Sequence, residues 1–389
     1  MAKYENYEIE LKVDTKVMDI EPHNFAFSLK DSILELYPTM DLEYNDMTGV
    51  FQEYLGFANG VPYDVTFGTN NQNLQNHYRV EESDLQSLQN PQFINGVVEA
   101  NMVHDYFSYQ EVRSGAYNAK ISGAIKKIIS VYNFSKTDID ETGNQDIWYQ
   151  MLMRDDIFMQ TKLLPNAFAQ TSKQAPYFMW IDSNNNFNFK NYFNMVNEVP
   201  IVKLKFNQES VNKLEQNTVI QFDTYRKSDI EIDTLKNRYI FSDNVEDGTV
   251  TQEQDTITDY PEMSGRVLPS LSDDKIKSFV ILGDESSIKG KQDNANGRKI
   301  NSTRESLFID NMIITTYLDC RLLAGKMVEI EIPNSTNSSQ PSRYFSDKYL
   351  IATSEHKWDG QKGYSTLHLI RKSVILTSQY LIKPKLFVG

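Results

Sequence analysis

The sequence has few of the residues that build cross-links, secretion signals and membrane spans. Cys320 is the only cysteine in 389 residues, so the chain cannot form an internal disulfide and shows no adaptation to an oxidising compartment. No run of about 18 apolar residues occurs, which argues against a membrane-spanning helix. The opening residues, MAKYENYEIELKVD, lack the apolar core of a signal peptide, so we do not expect secretion through the Sec pathway.

Motifs of the common enzyme classes are missing as well. The sequence contains no GxxxxGK(S/T), GxGxxG, HExxH or GxSxG. The 53 acidic residues make carboxylate pairs so easy to find that no single pair is informative. Cys320 lies in a strand pattern, which predicts a buried, small apolar side chain. The histidines show no metal-ligand spacing, so we predict no catalytic, cofactor-binding or metal-ligating residue. They are His23, His77, His104, His356 and His368.

Charge and aromatic content indicate the general class of the protein. The formal net charge of −14 argues against a surface that grips nucleic-acid phosphates, but it does not exclude a passage through which DNA slides. The chain holds 22 Tyr and 21 Phe but only 3 Trp, a composition that suits strands and large interfaces. Its length allows two or three domains, each with its own core.

Residues 1–115 alternate apolar and polar side chains in several short runs. In YEIELKV, the side chains of Tyr7, Ile9, Leu11 and Val13 share one face. NFAFSLKD repeats the alternation, and an Asn-Gly pair before VPYDVTFG marks a tight turn. Short strands at regular spacing with turn signals predict a small barrel or sandwich.

The spacing of apolar residues changes at Ser114. SGAYNAKISGAIKKIISVYNF places apolar side chains at helical spacing and lysines on the other side, which predicts an amphipathic helix. NQDIWYQMLMRDDIFMQ predicts a second helix with Asn144 as its N-cap. Its inward side chains would be Ile147, Trp148, Met151 and Leu152.

APYFMWIDSNNNFNFKNYF predicts two strands joined by a turn. Asp182, Asn184 and Asn186 imitate the start of a calcium-binding loop. However, Phe187 and Phe193 stand where that loop needs Gly and Glu. We therefore interpret the segment as a hairpin without a metal ion.

Strands resume at Pro200 with IVKLKFN and NTVIQFDTY. The stretch 239–265 then holds seven acidic residues and no basic one, which predicts a solvated loop that a partner would order. FVILGD predicts a short buried strand. LLAGKMVEIEI places Gly325 at a turn and Val328, Ile330 and Ile332 on one face. The two alternating runs within KYLIATSEHKWDGQKGYSTLHLIRKS, separated by Asp-Gly and Lys-Gly, predict an antiparallel hairpin.

Three stretches carry a family resemblance: AYNAKISGAIKKIISVY, APYFMWIDSNNNFNF, and the run from LLAGKMVEIEIPN to the final hairpin. They resemble the baseplate hub proteins of contractile-tailed bacteriophages, a superfamily that includes late control protein D and the amino-terminal part of type VI secretion spikes. The acidic stretch 239–265 departs from that family pattern. The matching positions in the last run are Gly325, Tyr349, Ile351, His356, Tyr364, Leu367, Leu369 and Arg371.

The resemblance implies an α+β, β-dominated fold. Two small antiparallel β-barrels would stand in a hub-like arrangement with an α/β middle domain. The first barrel would span 1–115, and the second would combine 200–235 with 306–386. The middle domain would combine 116–199 with 236–305. The final hairpin would close the second barrel, with its His and Trp as packing and hydrogen-bonding groups.

The resemblance also implies a structural function without enzymatic activity or a cofactor. In the family, three chains form a ring of pseudo-sixfold symmetry that joins a hexameric tail tube to a trimeric spike and surrounds the DNA channel. The implied partners are two further copies, the central spike protein, the tail tube protein and the baseplate wedge proteins, with the tape-measure protein as a further candidate. DNA would pass without specific binding. The implied location is the virion tail baseplate, after assembly in the host bacterial cytoplasm.

Two other functions stay open at this point. A tail-associated cell-wall hydrolase would need two positioned carboxylates or a metal triad. A glycan- or receptor-binding tail module would need exposed aromatic platforms at Trp148, Trp180 and Trp358, whereas we expect at least Trp148 to be buried.

Overall fold

The structure is a computed structural model of the 389-residue chain. It describes residues 7–13, 16–17, 25–46, 60–69, 72–87, 96–105, 112–143, 145–169, 175–206, 217–226, 238–244, 249–255, 278–282, 307, 310–334, 340–342 and 345–371.

Strands dominate the described residues, which confirms the predicted fold class. The first segment forms β1 (Tyr7–Val13), β2 (Lys16–Val17), β3 (Phe25–Ser32), β4 (Thr39–Asp46), β5 (Pro62–Thr69), β6 (Gln72–Ser87) and β7 (Gly96–His104). The middle segment forms β8 (Arg113–Lys120), α1 (Ile121–Ile129), β9 (Lys136–Ile139), β10 (Gln145–Met153), α2 (Asp155–Phe158), a π-helical turn (Met159–Leu163), a 3-10 turn (Leu164–Asn166), β11 (Tyr177–Ile181), β12 (Asn186–Asn191) and α3 (Tyr192–Asn197). The last segment forms β13 (Lys203–Phe206), β14 (Thr218–Arg226), β15 (Arg238–Asn244), β16 (Thr249–Asp255), β17 (Ser278–Leu282), β18 (Asp310–Tyr317), β19 (Met327–Glu331), β20 (Asp347–Trp358) and β21 (Gly363–Arg371).

Six strands of the last segment close into a barrel. Their order is β19-β13-β14-β18-β21-β20, and β20 pairs again with β19 to complete the closure. β13 runs parallel to both of its neighbours, so the barrel is mixed rather than purely antiparallel. Buried side chains of these strands form one cluster that includes Val328, Ile330 and Ile332, as predicted. The predicted hairpin is confirmed in β20 and β21, which are antiparallel members of this barrel.

β20 belongs to the barrel and to the neighbouring sheet at once. Its first residues, 347–350, pair with β19, and its last residues, 353–358, pair along the same edge with β3. The register of β20 against β21 shifts between Ile351 and Thr353. At the same point, the strand paired with the other edge of β20 changes from β19 to β3. From β3 the sheet continues through β4, β7, β6, β5, β1 and β2. The strands of the first segment therefore extend the wall of the barrel as one continuous hydrogen-bonded sheet.

The core of the first segment is completed by side chains from the last segment. Leu318, Cys320, Leu323 and Trp358 join the cluster formed by β1 to β7. Cys320 is 7% exposed, which confirms the prediction of a buried side chain. The indole ring of Trp358 meets the ring of Tyr7 edge-on, with 5.0 Å between the ring centroids. Rings of this size bury a large apolar area, and their contact helps to hold these two segments together.

The middle segment corrects one helix prediction. The first helix is confirmed as α1, although 113–120 form a strand before it. The second helix, predicted for NQDIWYQMLMRDDIFMQ, is wrong for 145–153, because these residues form β10, which pairs antiparallel with β8, and it is confirmed only near its end, where 155–158 form α2. Apolar side chains at 147, 148, 151 and 152 fit helical spacing, but the run Ile-Trp-Tyr also has high strand propensity, and pairing with β8 decides between the two. Asn144 lies outside the described residues.

The acidic stretch 239–265 was predicted to be a loop, and this is wrong for the part that the structure describes, 239–244 and 249–255. Residues 238–244 and 249–255 form the antiparallel pair β15 and β16. The predicted strand in FVILGD is confirmed as β17, which pairs in parallel with β15. Residues 245–248 and 256–265 lie outside the described residues. TVTQEQD forms a strand despite its acidic residues, and β16 is the edge strand of its three-stranded sheet, a position that tolerates charge.

Gly325 allows the turn before β19 to pass close to Trp180. Its φ is +82°, and a Cβ atom built there would lie 2.3 Å from Cζ2 of the Trp180 ring. Only glycine adopts this φ without a cost of about 1–2 kcal/mol. Because Gly325 has no side chain, Trp180 of the middle segment can pack directly against this turn.

We expect Gly325→Ala to lower the free energy of unfolding by about 2–5 kcal/mol, because left-handed strain and overpacking against Trp180 add together. Gly360→Ala is the matched control, since Gly360 has φ +87° but its nearest neighbour, the Phe25 carbonyl oxygen, is 3.5 Å from the added Cβ. The control should lose only about 1–2 kcal/mol. Urea denaturation of both variants measures the difference, and equal losses would contradict the close approach of Trp180.

Candidate functional site: polar junctions and an exposed strand face

The described histidines occupy different environments. His356 is fully buried between the hydroxyl oxygens of Ser354 and Ser365, at 3.1 and 3.0 Å from its ring nitrogens, and burial lowers its pKa to about 4. His356 is thus a neutral packing group, as predicted. His77 is exposed, with its Nδ1 atom 2.6 Å from the carboxylate of Asp64. Within the described ranges, no group of three or more His, Cys, Asp or Glu side chains is placed to hold a metal ion. His23 lies outside those ranges.

Asp31 connects three parts of the chain. It lies on β3 and is 1% exposed. One carboxylate oxygen accepts the backbone N–H of Ser183, in the turn between β11 and β12, at 2.7 Å. The other accepts the backbone N–H of Ala324, in the turn before β19, at 3.2 Å. The carboxylate of one side chain therefore joins the first segment, the middle segment and the barrel; we call it the Asp31 junction.

The turn that meets Asp31 is built by Asp182. One oxygen of its carboxylate accepts the backbone N–H groups of Asn184 and Asn186, each at 3.0 Å, and the other accepts the Asn186 side-chain amide at 3.0 Å. Asn185 takes φ +54°, a left-handed conformation that Asn tolerates better than most residues. The carboxylate oxygens of Asp182 thus accept hydrogen bonds from the turn itself, and the predicted strand–turn–strand is confirmed in β11 and β12.

Two side chains of the first segment form hydrogen bonds with the same turn. Asn76 on β6 donates its amide to the carbonyl oxygen of Asp182 at 3.2 Å, and the Nε2 atom of His104 lies 3.2 Å from the side-chain oxygen of Asn185. Burial lowers the pKa of His104 to about 3, so its imidazole is neutral. Burial, and then the charge of the nearby Asp182, raises the pKa of Asp31 to about 7. The site therefore holds two buried carboxyl groups, Asp31 and Asp182, whose negative charges repel each other.

A second polar junction lies around Asp155 and Asp156 at the start of α2. The Tyr37 hydroxyl, from the loop before β4, donates to the Asp156 carboxylate at 2.5 Å, and Arg154 pairs with the same carboxylate. Gln150 donates to Asp155 at 2.7 Å. This cluster ties the first segment to the middle one a second time. Beyond the Arg-Asp-Asp run, no sequence pattern indicates this cluster, because Tyr37 lies 119 residues from Asp156.

The outer face of β10 exposes apolar side chains. Ile147, Tyr149 and Met151 are 46%, 63% and 76% exposed, and Leu152 is 81% exposed. These four side chains are hereafter the strand face. The inner face of β10 carries Trp148, which is half-buried and donates its indole N–H to the carbonyl oxygen of Ala119 at 3.0 Å. The expected burial of Ile147, Met151 and Leu152 is therefore wrong, because the strand turns them outward.

A β-bulge creates the end of the strand face. The register against β8 shifts between Gln150 and Met153, and Leu152 takes φ +45°. Its backbone N–H is held by the hydroxyl oxygen of Ser114 at 3.1 Å. A left-handed conformation at a large apolar residue is uncommon and costs about 1–2 kcal/mol. The fold thus keeps Met151 and Leu152 in solvent at a cost in stability.

These arrangements fasten parts of the chain to one another. The carboxylates of Asp31 and Asp182 are filled with donors from the chain itself. The indole rings of Trp180 and Trp358 are 2% and 1% exposed, so neither offers a platform to a sugar. No helix in the described part of the chain is long and apolar enough to cross a membrane.

Comparison with known proteins places the fold among phage tail proteins. No protein-family model matches the chain, and no curated protein matches it. Among solved structures, the 43 kDa tail protein of prophage MuSo2 from Shewanella oneidensis superposes with a TM-score of 0.61 at 9% identity, over 94% of this chain and 98% of that one. The tail protein from Neisseria meningitidis MC58 superposes with a TM-score of 0.56 at 9% identity, over 94% of this chain and 96% of that one. The chain therefore shares its fold with these two tail proteins.

The raised pKa of Asp31 predicts that the free energy of unfolding depends on pH. From its ordinary value of 3.8 to about 7, the folded chain keeps a proton that the unfolded chain has released. The contribution of Asp31 to the free energy of unfolding therefore falls as the pH rises through this window and is level above it. We expect the difference in unfolding free energy between the native chain and Asp31→Asn to fall by a few kcal/mol from pH 4 to pH 7, at about 1.4 kcal/mol per unit.

Urea denaturation at intervals of pH measures this difference. Asp41→Asn is the matched control, because Asp41 lies on the neighbouring strand β4 with an exposed side chain. Its curve should run parallel to that of the native chain. Parallel curves for Asp31→Asn and the native chain would show that Asp31 titrates alike in the folded and unfolded states.

Proposed function

We propose that this protein is a structural hub of a contractile phage tail. The observation that carries the proposal is the similarity of its fold, over 94% of the chain, to two phage tail proteins. Because function does not follow from fold alone, the proposal rests on analogy and on the character of the site. The polar junctions fasten parts of the chain to one another, which suits a structural protein.

Three copies would form a ring with pseudo-sixfold symmetry around the DNA channel. The proposed domains are 1–115, 116–199 with 236–305, and 200–235 with 306–386. In this arrangement the closed barrel and the sheet that continues from it would each face one subunit of a sixfold tail tube, so that three chains present six similar units. The opposite side would carry the trimeric spike, and wedge proteins would contact the outside.

We propose that the hub performs no catalysis and sits in the virion tail baseplate after assembly in the host cytoplasm. A glycan-binding module is less well supported, because two of the three tryptophans are buried and the third is half-buried. A hydrolase has no observation in its favour among the described side chains.

We expect the purified chain to form a homotrimer, because a ring of three copies is what the hub function requires. Multi-angle light scattering over a range of protein concentrations measures the mass. A mass of 45.0 kDa at high concentration, both alone and with the spike protein, would contradict the ring.

We expect the trimer to bind duplex DNA weakly. The net charge of each chain is −14, and a wall that held phosphates would stall the passage of DNA, since each neutralised phosphate adds affinity that must be broken again. Fluorescence anisotropy with labelled duplex at low salt and at about 0.1 M salt, where the Debye length is about 10 Å, measures the affinity. Tight binding that weakens steeply with salt would contradict a non-adhesive channel.

A further inference from the structure

The Asp31 junction contains two acidic side chains and no basic partner for either among the described residues. Asp31 and Asp182 are 1% and 4% exposed. Asp182 precedes Ser183, whose backbone N–H binds the Asp31 carboxylate at 2.7 Å, so both carboxyl groups meet at one turn. In the part of the chain that the structure describes, no lysine or arginine pairs with either of them. Two like charges in a buried site repel each other and lose the solvation of water, so ionising both groups there is costly.

The second polar junction differs in its charge balance. It also holds two buried acidic side chains, Asp155 and Asp156. However, Arg154 pairs with Asp156, and the Nη1 atom of Arg113 lies 3.6 Å from the Asp155 carboxylate. Each acid thus has a cationic partner in the folded chain. A rise in pH therefore leaves this junction electrically balanced, whereas it adds an uncompensated charge at the Asp31 junction.

Two titratable side chains of the first segment also face the Asp31 junction, and both are neutral. Tyr78 on β6 is fully buried, and burial, followed by the charge of Asp31, raises the pKa of its hydroxyl. The imidazole of His104 on β7 is neutral because burial lowers its pKa to about 3. Two further polar neighbours of Asp31 are the buried Ser183 hydroxyl and the backbone N–H of Ala324. None of these groups supplies a positive charge when Asp31 ionises.

We propose that the Asp31 junction is a pH-dependent switch, in which one proton held by Asp31 and Asp182 together keeps the turn 182–186 docked on the first segment. When that proton passes to water, two buried negative charges remain at the turn, and separating the turn from β3 returns both to solvent. The second polar junction keeps the rest of the middle segment attached. The switch acts within one chain, so it does not depend on the proposed hub function.

Hydrogen bonds dock this turn on the first segment. Three of them are long, at 3.2–3.3 Å, and join Asn76 to Asp182, His104 to Asn185, and Gln75 to Asn184. Water can replace such bonds when the turn separates, because both partners are polar groups. Just before the turn, the backbone N–H of Ile181 binds the Leu36 carbonyl oxygen at 2.8 Å, and β11 is wholly buried. Release is therefore confined to the tip of the hairpin.

Opposing effects at Asp31 set the pH of the switch. Its two N–H donors favour the ionised carboxylate, but burial and then the charge of Asp182 outweigh them and raise the pKa of Asp31 to about 7. In the released turn, Asp31 regains its ordinary pKa of 3.8. The released chain thus binds fewer protons between these two values, so release becomes about tenfold more favourable with each pH unit and levels off above pH 7.

Residue-resolved hydrogen exchange on the full chain tests the switch from about pH 5.5 to about pH 8.5, which lies above the isoelectric point of about 4.9. The Ser183 amide hydrogen binds Asp31, so its exchange reports the release directly. After correction for the intrinsic exchange rate, we expect its protection to fall roughly 30-fold between about pH 5.5 and pH 7 and to stay level above. The Phe158 amide of the second polar junction, which binds the Arg154 carbonyl oxygen at 2.9 Å, is the internal control and should keep its protection.

Substitutions assign the effect to the acidic pair. Asp182→Asn keeps an oxygen that can accept the backbone N–H groups of the turn but removes one charge, so the pH dependence at Ser183 should shrink. Asp31→Asn combined with Asp182→Asn should abolish it. Asp41→Asn is the matched control, because Asp41 is an exposed acid on the neighbouring strand β4, and this variant should keep the native pH dependence. If the double variant melts early, Asp31→Asn alone replaces it and should lose most of the dependence.

Three results would overturn the switch. One is a Ser183 amide whose corrected protection does not change with pH in the native chain. A second is an equal loss at Ser183 and Phe158, which would indicate loosening of the whole chain instead of release of one turn. The third is a pH dependence that persists in the variant without both Asp31 and Asp182. The mass of the chain in solution decides the proposed ring and has no bearing on these results.

Discussion

The arrangement of the three segments depends on the carboxylate of Asp31. Its two oxygens accept N–H groups from residues 152 and 293 positions further along the chain, so one buried group fixes the middle turn and the barrel turn against β3. A buried carboxylate is costly without donors, and its two backbone partners can reach it only when both turns are in place. Trp180, Gly325 and the surrounding apolar cluster pack at the same place. Polar and apolar contacts thus impose the same relative placement of the segments.

The sequence predicts local elements well where pattern and turn chemistry agree. The final hairpin, the turn at Asp182 and the apolar face of β19 all combine strict alternation with Gly, Asp or Asn at the reversal, and all three are confirmed. The run at 145–153 satisfies two periods at once, and only pairing with β8, a tertiary contact, selects the strand. Acidic composition at 239–265 suggests solvation, yet β15 and β16 form there because composition does not set hydrogen-bond pairing.

The polar junctions could not be predicted, for a different reason. Asp31 follows an ordinary alternating strand, and nothing in its neighbourhood in sequence distinguishes it from the exposed Asp41 on the next strand. Its importance arises from donors that are remote in sequence. The contact between Tyr37 and Asp156 is a second example. No sequence pattern connects a tyrosine in one loop with a distant Arg-Asp-Asp run. The strand face was missed because the helical interpretation turned the same side chains inward.

The shared strand β20 has a mechanical consequence. Because it pairs with β19 over its first residues and with β3 over its last, the barrel and the sheet of the first segment have no flexible linker between them at this edge. Shearing one against the other requires the simultaneous rupture of several backbone hydrogen bonds arranged in parallel, which resists force far better than opening them one at a time. A force applied across this edge would therefore pass directly between the barrel and the sheet of the first segment, without a hinge at β20.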